Sequence, residues 1–544
     1  MSRLLLLSIL ILWMCPRENV VPPPWPASVR LGLFLGAYVV LIGMMCAWSR
    51  LLARRVADDS LGRTLDRYNR ATEMARYFIP AWFAVGVFGL GWGHIVYELL
   101  APLSPVRMAH GAPPTSEPYW RIPGLLLGTL PAFAAWMGLW WAQYPADRAL
   151  KEQSVLYQAN EGLPIHAPPG FGTFFVEHFR QQLLFTLAPV LLIVSARDLL
   201  ALGYVLFGSK PLGHEGGEAL IFPLGVLMFI LAPEFLRRVI PTQPLPADWP
   251  LRHRMEALCR RAGLKYRDIL LWRTNSSMGN AMVMGLFPRV RYIFLSDLLL
   301  ETMRDEEIEA VFAHEIGHVV HRHMWWYVLI VVMLTLFSAG PLSLVMNQIP
   351  WLQIREGLTS VRESELIARQ EQVMAVIGLA MFGVCFGFLS RRFERQADVY
   401  AARTMEAGRQ RATIRISHLN PEAPEASPAE LFMPSLATAT VAAGPQQVAG
   451  VPAPVRTTHV GEYGAAVVGS ALHRVAQINN IPVAAHEWLH GSIQQRMRYL
   501  HELSGDASRT RRFDLAMRRL YWGLVLTVVG LGVWCFVQMG VPTF

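Results

Sequence analysis

The sequence predicts a mainly α, polytopic membrane protein. About eight membrane-spanning helices carry a small α+β domain on the cytoplasmic face. Three observations predict this. Hydrophobic residues make up 53% of the 544-residue chain and charged residues only 16%, against about 25% charged in soluble domains; the mean hydropathy is +0.31. The apolar excess is gathered into runs of bilayer-crossing length. One short stretch, His314–His318, has the spacing of a metal-binding helical turn.

Apolar runs with few or no charges occupy Leu31–Trp48, Phe78–Tyr97, Ile122–Ala142, Leu183–Phe207, Ala219–Pro233, Trp325–Met346, Val373–Leu389 and Leu520–Gly540. A helix needs about 20 apolar residues to cross a bilayer. Leu183–Phe207 is interrupted by Arg197-Asp198, and Ala219–Pro233 is short unless it continues past Glu234. So many runs in one chain exclude a disordered chain, a coiled coil and an ordinary soluble enzyme. At the start, Arg3 and Leu4–Met14 have the charged end and short core of a signal peptide. Trp13, Met14 and Pro16 offer no small-residue cleavage site, so an uncleaved, partly inserted helix is expected over the first 28 residues.

The five cysteines form no CxxC pair and are scattered, which argues against disulfides and thiolate metal sites. A net charge of +9 invites a nucleic-acid reading, but the positions of the basic residues oppose it. Arg50, Arg54, Arg55, Arg63, Arg67, Arg70 and Arg76 lie between the first two runs. Arg237 and Arg238 follow the fifth, and Arg391, Arg392 and Arg395 the seventh. Basic residues beside spans set orientation, so segments 50–77, 237–324 and 391–518 are expected on the cytoplasmic side, with no nucleic-acid partner. Only Lys151, Lys210 and Lys265 are lysines. This arginine bias hints at a bacterial host and an inner-membrane location.

The resulting organisation is an N-terminal membrane domain with about five spans over 1–236, a catalytic zinc-helix segment at 237–324, and a two-span hairpin at 325–390. A third-ligand and substrate-loop segment covers 391–518, with a flexible insertion at 408–460, and a last span fills 519–544. The insertion is expected from Pro421, Pro424, Pro428, Pro434, Pro445, Pro452 and Pro454, which preclude a long helix. Within 248–324, Arg252–Ala262 reads as a basic amphipathic helix ending at Gly263. Ala281–Gly285 and Val290–Leu295 read as a hairpin around Leu286-Phe287-Pro288-Arg289. A helix beginning near Asp305, with acidic residues suited to its dipole, is expected to run through His323 into the sixth span. Helical pattern resumes at Val467–Asn479 and Ser492–Leu503.

His314-Glu315-Ile316-Gly317-His318 is an HExxH motif. On a helix the two histidines share one face and can hold one zinc ion, and the glutamate between them can serve a metal-activated water as general base. A chance HExxH is expected about 0.02 times in such a chain, yet a second occurs at His486-Glu487-Trp488-Leu489-His490. The first lies in a helix-compatible apolar run. The second follows Pro482 and runs into Gly491, leaving barely one turn. A third ligand should be Glu, Asp or His. Arg391–Asp398 follows the seventh run on the same predicted side, with Glu394 and Asp398 at i, i+4. Glu394 can complete a His-His-Glu site, and Asp398 can orient a histidine from behind it.

Over about Asp248–Ala402 and Ala471–Leu503 the sequence resembles the membrane zinc metallopeptidases that include the CAAX prenyl endopeptidases and HtpX. The matching residues are Asn280-Ala281 with Gly285, Tyr292–Leu300, Glu307 through His323, Glu394-x-x-Ala397-Asp398, and His490 with Arg496. The resemblance implies zinc, one per chain, on His314, His318 and Glu394, with Glu315 activating water. It implies that His490 and Arg496 face the substrate and steady the oxyanion, rather than that His490 binds a second zinc. The family pattern has proline after that histidine, where this chain has Gly491. The resemblance also implies that Asn280, Ala281 and Gly285 line a cleft and pair with the substrate backbone. The expected activity is an integral membrane zinc metalloendopeptidase acting on membrane-associated or misfolded membrane proteins, in quality control or CAAX-type processing. Its partners are then a peptide or protein substrate and the bilayer. A silent scaffold or transporter is the alternative, since His94, Arg197 and Asp198 lie within apolar runs and Glu98 directly follows one. An intramembrane site-2-type protease needs an Asp-Gly ligand motif, which this chain lacks.

Overall fold

The structure is a computed structural model. It describes residues 23–56, 61–100, 121–160, 167–180, 230–276, 278–349, 360–419, 459–479 and 481–539, with isolated positions Ser8, Leu187, Leu191, Ser195 and Leu227. The described part is mainly helical around one small sheet. Five of its helices are long and apolar enough to cross a membrane: Ala27–Arg55, Pro123–Glu152, His323–Gln348, Val376–Gln410 and Ala507–Gln538. The expected runs at 183–207 and 219–233, the N-terminal 28-residue helix and residues 420–458 of the insertion fall largely outside the described residues.

The N-terminal bundle packs α1 (Ala27–Val56), α2 (Leu61–Ala84), α3 (Trp92–Leu100) and α4 (Arg121–Asn160) around Phe34, Ile79, Phe83, Trp136 and Trp140. The run Phe78–Tyr97, expected as one span, is not one continuous helix. The α2 helix loosens into a π turn at Val85–Gly89 and breaks at Gly91, whose φ is +68°. Only glycine takes that conformation without steric cost.

The sheet has the order β1-β2-β4-β3. Strands β1 (Thr242–Pro244) and β3 (Ala281–Met284) are antiparallel to their neighbours, while β2 (Asp268–Trp272) and β4 (Tyr292–Ser296) are parallel. The expected hairpin is β3–β4. The expected basic helix is α6 (Pro250–Ala262), stopped by Gly263 at φ +65°; α5 (Phe171–His178) lies before it in the chain. Below the sheet, α7 (Asp297–Thr302) leads into α8 (Asp305–Val320), which carries His314–His318. The start of α8 is tied down by Glu307. Its carboxylate accepts from the Arg304 backbone N–H at 3.1 Å and from the Ser470 hydroxyl at 2.6 Å.

The zinc-type helix does not run on into the membrane as expected. It ends at Val320; His321 and Arg322 form a turn in which Arg322 takes a left-handed φ of 56°, and α9 (His323–Phe337) starts as a separate helix. After α10 (Ser343–Gln348), α11 (Ser360–Leu419) is one continuous helix that passes through Glu394 and Asp398. It extends through residues 408–419, the first part of the expected insertion, and residues 420–458 lie outside the described residues. The chain closes with α12 (Glu462–Ile478), α13 (Ile493–Leu503) and α14 (Ala507–Met539). One apolar core joins the sheet, α8, α11, α12 and α13 through Ile293, Leu295, Phe312, Phe393, Val468 and Leu500.

Candidate metal centre and active site

Gly317 sets the approach of α8 to α11. A Cβ there would sit 3.1 Å from Ala397 Cα and 3.2 Å from the Tyr400 ring. Its absence lets α11 lie close enough for Glu394 and Asp398, one turn apart, to reach the histidines of α8. His314 Nε2 and His318 Nε2 are 3.2 Å apart. Glu394 Oε2 lies 3.4 Å from the first, and Oε1 lies 3.7 Å from the second. Among the described residues, His314, His318 and Glu394 form a group able to hold a metal ion, with ligand atoms within 4.8 Å of one another.

The surroundings orient these groups. Asp398 Oδ1 lies 2.9 Å from His314 Nδ1, although the nitrogen's hydrogen is not aimed squarely at it. Arg496, on α13, grips Asp398 through two nitrogens at 2.8 and 2.7 Å and reaches Glu394 Oε2 at 3.3 Å. His490 Nδ1 lies 3.0 Å from Glu394 Oε1 on a half-exposed side chain. Burial opposes protonation of His314, but Asp398 and Glu394 outweigh it and push its pKa up to about 10. Burial lowers His318 to about 4. Two buried carboxylates thus gather Arg496, His314 and His490 around them, and their negative charge favours the protonated form of His314. Two imidazole nitrogens and a carboxylate oxygen converging there form a donor set that suits zinc, and a divalent cation would take over the role of that proton. The residues fit the ion.

Glu315 points toward the sheet edge. Its Oε2 accepts the N–H of Val283 at 3.2 Å, and burial pushes its carboxyl up to about 7. Strand β3 is the edge of the sheet. Its odd-numbered backbone groups face away from β4, toward a cleft of about 970 Å³ that is lined by Asn280, Ala281, Gly285, His314, Glu315 and His490 among others. Asn280 is exposed, with its backbone pinned to Ser296 through N–H···Oγ at 2.8 Å and C=O···H–N at 2.9 Å. Gly285 adopts φ +122° against the backbone of Val290, where no side chain fits.

The second HExxH is not a helix face. Residues 483–484 and 488–490 form turns, Glu487 makes an isolated β-bridge with Gly491, and His486 and Glu487 are exposed. The loop bearing His490 is held by Trp488, whose carbonyl accepts from Arg391 at 2.8 Å and whose indole lies over Gly387. Gly491 has φ +73°, a value closed to proline, so this chain turns after His490 in a way the family's proline does not allow. Sequence reasoning missed Asn479 as a contributor. Its amide accepts from Gly279 N–H at 3.0 Å and donates to Gly279 O at 2.7 Å, fixing the approach to β3 from the end of α12. It also passed over Gln396, which contacts His323 behind the histidine pair.

Residues 247–491 match the family described as peptidase family M48. The match covers a little under half of the chain, and CAAX prenyl protease homologs and HtpX proteases are among the similar proteins. A CAAX prenyl protease 1 homolog of Arabidopsis thaliana is 30% identical over 201 residues, covering 35% of this chain and 46% of that protein. Protease HtpX of Legionella pneumophila is 30% identical over 161 residues, covering 30% of this chain and 55% of that protein. The chain spans about half the length of the curated relatives it matches. The crystal structure of S. mikatae Ste24p overlaps 88% of this chain and 100% of its own at 15% identity, with a TM-score of 0.40, too low to fix a shared fold. The M48 segment contains His314, Glu315, His318, Glu394, Asp398 and His490, but ends before Arg496.

Proposed function

We propose that the chain is an integral membrane zinc endopeptidase that hydrolyses peptide bonds of membrane-associated polypeptides, with one zinc on His314, His318 and Glu394. The observation that carries the reading is the convergence of those three ligand groups beside a half-buried Glu315, on a cleft whose far wall is the edge strand β3. Zinc, when bound, polarises the scissile carbonyl and makes water easier to deprotonate. Glu315, with a carboxyl near neutrality, takes the proton of the attacking water and returns it to the leaving nitrogen. The substrate lies along β3 as an added strand, where Asn280, Ala281 and Gly285 offer backbone rather than side-chain contacts. His490, half-exposed at the cleft, donates to the oxyanion. Arg496 is buried against Asp398 and Glu394, so its part is to hold those carboxylates rather than to touch substrate.

In this reading about eight spans place the catalytic segment, 237–324 with 391–518, on the cytoplasmic side of a bacterial inner membrane. The matched relatives include proteases of both the CAAX and the HtpX type, and quality control of membrane proteins is the role proposed. The test is detergent-purified protein, stripped of metal and reloaded with zinc, against an unfolded membrane protein and a farnesylated peptide. Zinc-restored cleavage of the membrane protein supports the proposal. Cleavage of the farnesylated peptide alone replaces the role with prenyl processing, and no zinc-dependent cleavage of either leaves a scaffold or transporter.

A further inference from the structure

The site described above uses one ring nitrogen of His318. The other, Nδ1, lies 2.8 Å from Nδ1 of His323. His323 Nε2 is 3.0 Å from Oε1 of Gln396, and the same oxygen accepts the hydroxyl of Tyr521 at 2.5 Å. The protons along this line can be assigned. If His318 presents Nε2 to the metal, its proton sits on Nδ1 and must be donated to an acceptor. His323 Nδ1 is then that acceptor, so the His323 proton sits on Nε2 and is donated to Gln396. The amide oxygen has two lone pairs, one for His323 and one for Tyr521, and every donor on the line meets an acceptor.

The line is also mechanically held. His323 is buried and stacks on Phe393 with centroids 4.2 Å apart and planes 5° from parallel. Tyr521 stacks on Trp326 at 4.2 Å and 17°. It starts at the turn where Arg322 breaks the zinc-type helix, crosses α11 at Gln396, and ends on α14, beyond residue 491 where the M48 match stops.

We propose that His323, Gln396 and Tyr521 are positioning residues for His318, a hydrogen-bonded chain through which the C-terminal membrane helix fixes the ring plane and proton placement of a metal ligand. The inference rests on the reading of His318 as a ligand. A ligating imidazole is aimed by what its second nitrogen meets, and removing that partner costs about 10–100-fold in metal affinity or activity. Here the partner is a neutral imidazole backed by an amide, and the last link is contributed by a helix that carries no ligand.

The experiment measures zinc affinity by chelator competition, and the visible spectrum of the cobalt-substituted form, on the full-length protein in detergent. His323→Phe keeps the stacking ring and removes both hydrogen bonds; it and Gln396→Leu should weaken zinc binding about 10–100-fold and shift the cobalt bands. Gln396→Glu keeps an acceptor for His323 and should hold zinc more tightly than Gln396→Leu. Tyr521→Phe should weaken zinc by a smaller factor and, because it acts through His323, add nothing on top of His323→Phe. Wild-type affinity in His323→Phe and Gln396→Leu overturns the proposal, as do losses from His323→Phe and Tyr521→Phe that multiply. Should the buried variants fail to fold, an unchanged affinity and cobalt spectrum in Tyr521→Phe overturn it alone. A wild-type protein that binds no stoichiometric divalent metal overturns the functional reading and this inference together, whereas zinc-dependent wild type with silent variants overturns only the inference.

Discussion

Arg496 and Asp398 face each other through two parallel contacts, Nε to Oδ2 at 2.8 Å and Nη2 to Oδ1 at 2.7 Å, with both side chains buried. They join α13 to α11 directly behind His314. Removing one partner of such a pair leaves an uncompensated charge in the interior and typically costs about 3–5 kcal/mol. Arg496→Met should therefore lower the denaturation midpoint markedly, and Arg496→Lys should rescue little, because a lysine cannot make the two-pronged contact. Midpoints of the three proteins in one detergent check this; full rescue by lysine would contradict it.

The helix crossing at Gly317 is a second point of sensitivity. Gly317→Ala puts a methyl 3.1 Å from a backbone atom of Ala397, which cannot swing away as a side-chain tip can. Overpacking of this kind costs about 1–3 kcal/mol. It should also separate α8 from α11 and loosen the distance between the histidines and Glu394. The expected result is lower zinc retention with helical content unchanged, read by metal analysis alongside circular dichroism.

Gly387 governs a different property. A Cβ there would lie 2.4 Å from the indole nitrogen of Trp488, so Gly387→Ala should lift the loop that carries His490 while leaving the three ligand groups in place. Zinc content should stay at the wild-type level while kcat falls, as expected when an oxyanion donor is displaced. Loss of zinc and of kcat in parallel would show that the loop is not acting through His490.

Stability at low pH should depend on Glu234. Hydrogen bonds from Arg237 and Tyr292 hold its carboxyl down to about 2, against 4.5 for the ordinary group. Because the folded-state pKa is depressed, its contribution is fully present above about pH 4.5 and is lost as pH falls toward 2. Glu234→Gln should be less stable than wild type at pH 7, and the difference should shrink as pH falls through that window. Denaturation midpoints at pH 3, 5 and 7 provide the check, and a difference that stays constant with pH would contradict it.

How much of this was legible in the sequence depends on the range of the signal. The convergence of His314, His318 and Glu394 could be read because two are i, i+4 on an apolar-flanked helix and the third stands one turn from Asp398 at the end of an apolar run. The β3–β4 hairpin announced itself through its proline-containing turn. Strand β2 did not, since Asp268–Trp272 is a short apolar run that fits helix and strand alike. The break in Phe78–Tyr97 had a signal in Gly86, Gly89, Gly91 and Gly93, which hydropathy alone overrode. The kink after α8 had none, because arginine is not a residue that marks a left-handed turn. Links such as Asn479 with Gly279 and Tyr521 with Gln396 join positions 200 and 125 residues apart through uncharged groups, and no local pattern encodes them.

In the proposed reaction Glu315 moves the proton in a zinc-dependent peptide hydrolysis. The most direct measurement compares wild type with Glu315→Gln, recording bound zinc and the cleavage rate of a membrane-protein substrate in the same preparations. Glutamine keeps the shape and the contact region near Val283 but cannot accept the proton. Zinc should stay at the wild-type level in both proteins, with cleavage abolished in the variant. Cleavage retained by Glu315→Gln at the wild-type rate would contradict it.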